Sequence, residues 1–203
     1  MVAVTKNGRS APTSERRDEL LAIAARLIAT RGFSATTVRD VADEAGILSG
    51  SLYHHFSSKE AILAELLKRF MTTLLDRFEK IAAETDSPRE ALDLLVDQAF
   101  RTIESEPDAV GIYQNESSFL ATQQGFEFVS EHSARIEQIW MTAIRDGQAS
   151  GDFRASVDPA ITYRFIRDSV WATGRWFRPG GRHTAESLSA HYLDFLHQGL
   201  LAD

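Results

Sequence analysis

Apolar residues recur every three to four positions along most of this 203-residue chain. Leu20, Ile23, Ala24, Leu27 and Ile28 mark a first helix, entered at Ser14 and stopped at Gly32. Thr37 precedes a short second helix bearing Val38, Val41 and Ala42, which ends at Ala45-Gly46. A third segment, Leu48 to His55, carries Leu52 one turn before Phe56. Ser57-Ser58-Lys59-Glu60 opens a long helix whose apolar side holds Ile62, Leu63, Leu66, Leu67, Phe70, Leu74 and Phe78. Asp86-Ser87-Pro88 breaks it and begins another, with Leu92, Leu95, Val96 and Ala99 inward. The same periodicity predicts helices over about 111–121, 126–149, 159–178 and 184–201, separated by Glu106-Pro107, Gly125, Gly151 and Pro179-Gly180-Gly181. No stretch sustains strand-like alternation and no internal repeat is present, so the expected fold class is all-α. The first 13 residues have no periodicity and, with Gly8, Ser10 and Pro12, are expected to form a mobile basic arm.

Residues 36–56 read TTVRDVADEAGILSGSLYHHF: two short helices joined by a turn at Gly46, which fits a helix-turn-helix. Val38, Val41, Ala42, Ile47, Leu52 and Phe56 close a small core, with Ala42 small enough for close helix approach. That leaves Ser49, Gly50, Ser51, Tyr53 and His54 outward. Short hydrogen-bonding groups and two aromatic tips suit phosphate and base-edge contact in a major groove. Helical spacing alone leaves a plain helical hairpin without a DNA role equally open.

Composition first argues the other way. There are 22 basic against 29 acidic residues, a net charge of −7, where nucleic-acid binders usually carry a basic footprint. Resolved by segment, residues 1–39 hold seven basic and three acidic residues, a balance of +4, while residues 71–203 hold 12 and 21, a balance of −9. The two ends therefore read as different modules. A hydrophobic content of 43% with 25% charged residues excludes wholesale disorder. The absence of cysteine excludes disulfides, thiolate metal sites, cysteine nucleophiles and thiol redox sensing. The longest apolar stretch, Leu20 to Ala29, is interrupted by Arg26 and too short to span a bilayer, and the N-terminal MVAVTKNGRSAPTS has no signal-peptide core. No membrane association is expected, and the expected location is the cytoplasm.

From RGFSATTVRDVADEAG through SLYHHFSSKEAIL, covering roughly residues 16–65, the chain resembles the TetR family of one-component bacterial transcriptional regulators. That resemblance implies a three-helix DNA-binding domain over 14–60, a larger helical ligand-binding and dimerisation domain over 61–203, and a homodimer built on the last two helices. Such a dimer would read a pseudo-palindromic operator in double-stranded DNA. Thr37, Ser49, Gly50, Ser51, Tyr53, His54 and Lys59 match DNA-facing positions, with Thr37 and Lys59 on phosphates and Ser49, Gly50, Ser51 and His54 at or near base edges. The basic Arg39 joins that set. Leu48 departs from the polar or small residue the family often has there and leaves base specificity open. Lys6, Arg9, Arg16 and Arg17 would add phosphate or minor-groove contacts, or form a tail of no specific role.

The exception in the acidic half is YRFIRDSVWATGRWFRPGGR, residues 163–182, with five arginines and one acid, Asp168. At about 100° per residue, Arg164, Arg167, Trp171, Arg175 and Arg178 share one face, and Ile166, Val170, Thr173 and Phe177 the core side. Guanidinium groups beside an aromatic wall suit an anionic effector with several phosphates. The same stripe also suits a dimer interface, because the family's penultimate helix packs in the dimer bundle and arginine is enriched at interfaces. Within the family, ATTVRDVADEAGILSGSLYHHF, IYQNES and YRFIRDSVWATGRWFRPGG together look like the repressors of steroid breakdown in actinobacteria. That likeness implies control of late cholesterol-catabolism genes and release by a coenzyme A thioester of a steroid ring-degradation intermediate. Tyr113, Phe119, Trp140 and Trp171 are candidate walls for the apolar tail, with core packing the stronger claim on Phe119 and Trp140. Gln114 and Glu116 are candidate hydrogen-bonding groups or plain solvated positions.

Catalysis has no comparable support. His54 and His55 are adjacent and point about 100° apart on a helix, unlike an i,i+4 chelating pair. His191 and His197 have Glu186 and Asp194 nearby in sequence but no organising motif, and no Gly-rich phosphate loop, zincin motif or nucleophile elbow occurs. No catalytic residue, metal or cofactor is expected. The alternative within the family is a repressor of an efflux or fatty-acid gene responding to another lipophilic ligand. A cationic drug would use Glu104, Glu116, Tyr113 and Trp140, and the arginine stripe argues against it.

Overall fold

The computed structural model describes residues 13–120 and 122–201, the side chains of residues 13, 14, 118 and 119 excepted. Lys6 and Arg9 of the expected arm lie outside the described residues. Among the described residues no strand ladder forms; a single antiparallel bridge joins Phe153 to Leu201. None of the described helices is long and apolar enough to cross a membrane. The chain divides into two compact units after Leu63, inside its longest helix.

The first unit holds α1 (Thr13–Arg31), α2 (Val38–Glu44), α3 (Ser49–Tyr53) and the start of α4 (Lys59–Glu84). Gly32, at φ 85°, ends α1 in the left-handed conformation that glycine takes without penalty. Leu20, Ala24, Leu27, Ile28, Val41, Ala42, Leu52, Phe56, Ile62 and Leu63 form the core, as the helical spacing requires. Basic residues of α1 are engaged inside this unit. Arg16 donates to the Ala45 carbonyl (3.1 Å), and Arg17 donates to the His55 carbonyl and lies 4.2 Å over the Phe56 ring. Arg26 pairs with Glu44 at 2.6 Å. Arg16 and Arg17 are thus not part of a free arm: the helix starts at Thr13, and their length lets them cap the ends of α2 and α3.

The second unit continues α4 and adds α5 (Pro88–Ser105), α6 (Pro107–Leu120), α7 (Glu127–Ser150), α8 (Pro159–Ala172) and α9 (Ala185–Leu200). Ser87, Asp158 and Thr184 cap α5, α8 and α9 through side-chain oxygens. α5 is the central helix, packed on α6, α7, α8 and α9 with Leu92, Leu95, Val96, Ala99 and Phe100 buried. The bare face of Gly147 on α7 admits the Phe153 ring, where any Cβ would collide with it.

Two helix limits differ from the periodicity. α6 starts at Pro107 rather than near 111, because proline fits the first helical position. α8 ends at Ala172 instead of running to 178, passing into a 3-10 turn over Thr173–Arg175. The cause is local. Gln114 Nε2 donates to the Trp171 carbonyl at 2.5 Å, the acceptor a continuing helix would give to the amide of residue 175. Gly174 then closes onto α6, where a Cβ would stand 3.1 Å from Gln114 Nε2 and 3.3 Å from Val110 Cγ1.

Candidate functional site

In the first unit the outward side of α3 carries the residues expected to face DNA. Gly50, Ser51, Tyr53 and His54 are exposed and Ser49 is half-buried. Among the described residues, the side chains of Ser49, Ser51, Tyr53 and His54 make no hydrogen bond to the rest of the chain, so their donors and acceptors face solvent. Thr37 is committed differently. Its hydroxyl donates to Asp40 Oδ2 (2.5 Å) and accepts from the Asp40 amide (3.1 Å), while the Thr37 amide donates to the same carboxylate at 2.7 Å. These bonds, the hydroxyl first, hold the Asp40 carboxyl below its ordinary value. Arg39 is exposed and 3.6 Å from Asp43. Lys59 donates one of its three protons to the Phe33 carbonyl (2.8 Å) and sits 4.2 Å over the Phe33 ring, which fixes the ammonium at the start of α4.

In the second unit α4, α6, α7 and α8 border a cavity of about 420 Å³, within the range of small-molecule sites. Four of the expected effector residues line it: Tyr113, Gln114, Arg167 and Trp171. The Tyr113 and Trp171 rings meet edge to face at 6.3 Å, forming an aromatic wall. Tyr113 Oη lies 3.3 Å from Ser133 Oγ. Arg167 Nε donates to Asp168 Oδ1 at 2.8 Å, and that carboxylate raises the guanidinium's affinity for its proton. The guanidinium also stands 5.6 Å from the centre of the Tyr163 ring. Burial pushes the Tyr163 phenol up to about 12, against the opposing pull of Arg167, so it remains a neutral donor.

The remaining lining was not expected: Leu74, Val129 and Ile136 are apolar, and Ser117, Ser130, Ser133, Glu137, Tyr163 and Asp168 are polar. Two signals were available. Tyr163, Arg167 and Trp171 form one i,i+4,i+8 ridge, and Ser130, Ser133 and Glu137 repeat at three and four residues along α7.

Several expectations need correction. Arg164, Arg175 and Arg178 do not line the cavity. Arg164 is exposed, about 100° round α8 from Tyr163. Arg175 and Arg178 follow the end of the helix, so the projected stripe breaks at Ala172; Arg178 instead donates to the Phe177 carbonyl at 2.9 Å. Gln114 is at the wall with its amide nitrogen already on the Trp171 carbonyl. Trp140 is core, edge-on to Phe78 at 5.6 Å, and Glu116 is not in the lining. The side chain of Phe119 lies outside the described residues. His197 pairs with Asp93 at 2.7 Å.

α8 has a second working side. With α9 it borders an apolar groove of about 650 Å³ lined by Val157, Phe165, Ile166, Tyr192, Phe195 and Leu196. Phe165 is 73% exposed and Phe195 78%, which is unusual for large apolar residues. Ser169 Oγ and Tyr192 Oη, 2.9 Å apart, tie the two helices, and Asp168 borders both the groove and the cavity.

Comparison with known proteins agrees with this division. Residues 20–66 match the family of bacterial regulatory proteins, tetR family, and residues 85–200 match the tetracyclin repressor-like C-terminal domain. The chain is 44% identical over 191 residues to the transcriptional repressor KstR2 of Mycolicibacterium smegmatis, covering 94% of this chain and 93% of that protein. It is 43% identical over 187 residues to KstR2 of Rhodococcus jostii, covering 92% of each. The solved structure of the ketosteroid transcriptional regulator KstR2 of Mycobacterium tuberculosis superposes with a TM-score of 0.91 at 42% identity, over 97% of this chain and 98% of that one. An exposed helix-turn-helix surface, a separate ligand-sized cavity and this likeness along nearly the whole chain lead to one assignment: the chain belongs to the TetR family of bacterial transcriptional regulators.

Proposed function

We propose that this regulator is a repressor that binds a pseudo-palindromic operator as a homodimer and is released by a coenzyme A thioester of a steroid ring-degradation intermediate, so controlling late steroid-catabolism genes. The observation that carries the effector assignment is the meeting of Arg167, Trp171 and Tyr113 on one cavity. A thioester of this class joins a phosphate-bearing head, which guanidinium groups bind, to an apolar ring system, which aromatic walls bind. A cavity of about 420 Å³ suits the acyl end, leaving the head to extend toward solvent. The similar structure named as a ketosteroid transcriptional regulator supports the steroid class. The apolar groove between α8 and α9 supports a second copy of the chain as its occupant, joined about a two-fold axis. The effector acts by differential affinity: it favours the state of the dimer in which the recognition helices no longer fit adjacent major grooves.

One observation favours a second reading. Glu137 and Asp168 place two carboxylates on the cavity against the single Arg167, a charge balance that suits a different lipophilic ligand, including a cationic one. Operator binding in a mobility shift separates the readings. Release by steroid-derived acyl-CoA thioesters, and not by the matching free acids, is the expected result. Release by free acids alone, by a lipophilic cation, or by none of these removes the thioester assignment.

A further inference from the structure

Leu48 is the most exposed large apolar residue among those described, at 81%. It occupies the capping position of α3 and makes no side-chain cap bond, while Thr37, Ser87, Asp158 and Thr184 cap their helices with oxygens. A leucine there serves neither the core nor the helix. Two residues on, Gly50 breaks a second local rule. It stands inside α3 without a left-handed φ, and a Cβ built on it meets nothing within 4 Å. Folding supplies no reason for the missing side chain. The two departures flank Ser49 and are followed by Ser51 and Tyr53, whose polar atoms have no partner within the described chain. Departures from local consistency that cluster on one surface mark the place where a partner supplies the compensation.

The chemistry of that partner follows from the mixture. A protein-docking patch would need contiguous apolar area, but among the described residues of the first unit only Leu48 and the Tyr53 tip, 55% exposed, are large exposed hydrophobics. One isolated aliphatic group among hydroxyls matches the major groove, where hydrogen-bonding base edges alternate with the 5-methyl groups of thymine. We propose that Leu48 reads a thymine 5-methyl group in each operator half-site, with the bare Gly50 letting the α3 backbone come close enough for the contact. This rests on the operator-binding reading above and adds a specificity-determining residue to it.

The test uses the full chain. Duplexes are selected from a randomised pool, and each thymine of the enriched site is replaced singly by uracil, which lacks the methyl. Wild type is expected to lose about fourfold in affinity at one symmetry-related pair of thymines, the effect of one buried methyl. Leu48→Ala, which removes the contact from both half-sites, is expected to bind the unmodified site about sixteenfold more weakly and to be indifferent to uracil at that pair. Leu48→Met, which keeps apolar reach, should retain the discrimination. Unchanged thermal unfolding of all variants verifies that the effect lies in the contact. Equal uracil sensitivity in wild type and Leu48→Ala, or none at any thymine in wild type, overturns the proposal while leaving operator binding intact. Failure of wild type to enrich any duplex overturns the operator-binding reading itself.

Discussion

The surface of α3 and the cavity of the second unit hold their polar groups in opposite ways. On α3 the hydroxyls of Ser49, Ser51 and Tyr53 are unpaired within the described chain and face solvent. In the cavity, Tyr113 is within reach of Ser133, Gln114 holds the Trp171 carbonyl and Arg167 holds Asp168. A partner of the first surface meets donors and acceptors that are already free. A ligand that engages Tyr113, Gln114 or Arg167 Nε meets groups that already hold bonds. Under the proposed function that contrast suits a reading surface and a switching site, because a ligand shifts a conformational equilibrium only through contacts that differ between the two states.

The comparison breaks most severely if the first unit loses its packing. Leu52 is fully buried beneath α3, so Leu52→Ala should lower the stability of that unit by about 3 kcal/mol and abolish operator binding. Differential scanning calorimetry together with a mobility shift checks both. Next in size, Arg167→Ala and Trp171→Ala should leave operator affinity within about twofold of wild type while raising the effector concentration needed for release by about tenfold, the worth of one charge-assisted contact. Loss of DNA binding through dissociation of the dimer, seen by analytical ultracentrifugation, would instead assign these residues to the interface.

Thr37→Ala should lower stability by about 1 kcal/mol through loss of the α2 cap, measured by urea unfolding. It should also flatten the acid limb of the stability profile. In wild type the Asp40 carboxyl is depressed, so its contribution is present above its unfolded value of 3.8 and is lost as pH falls through the lower folded value. The smallest effect carries opposite signs in two assays. Gly50→Ala should raise thermal stability by about 0.5–1 kcal/mol, since alanine favours the helix and meets open space, and should weaken operator binding. A variant that gains stability without losing affinity would remove the argument for close backbone approach.

The helices, most of their stops and the core were legible from apolar spacing because each depends on neighbours within a few turns. Leu52 and Phe56 are inward and Ser51 and Tyr53 outward, as a helix through that stretch dictates. The outward residues of α3 were legible for the same reason, since a recognition surface on one short helix is a local object. The cavity was not. Its wall comes from four helices, and Ser117, Ser130, Ser133 and Glu137 become one surface only once α6 and α7 face α8. The arginine stripe failed for a related reason. A wheel projection assumes an unbroken helix, and the bond that ends α8 comes from Gln114, 57 residues away. The basic charge near the N-terminus was likewise read as available for DNA, yet Arg16, Arg17 and Arg26 are drawn into contacts with the ends of α2 and α3.

The double duty of α8 bears on re-engineering the protein as a biosensor. Successive positions there face the cavity and the apolar groove, and Asp168 borders both. Under the proposed function, a library built on this helix would alter ligand choice and self-association together, and a clone lost in screening would not reveal which had failed. Ser117 on α6 and Ser130 and Ser133 on α7 touch only the cavity among these two surfaces. They are the positions from which to retune ligand preference while the output side of the switch stays as it is.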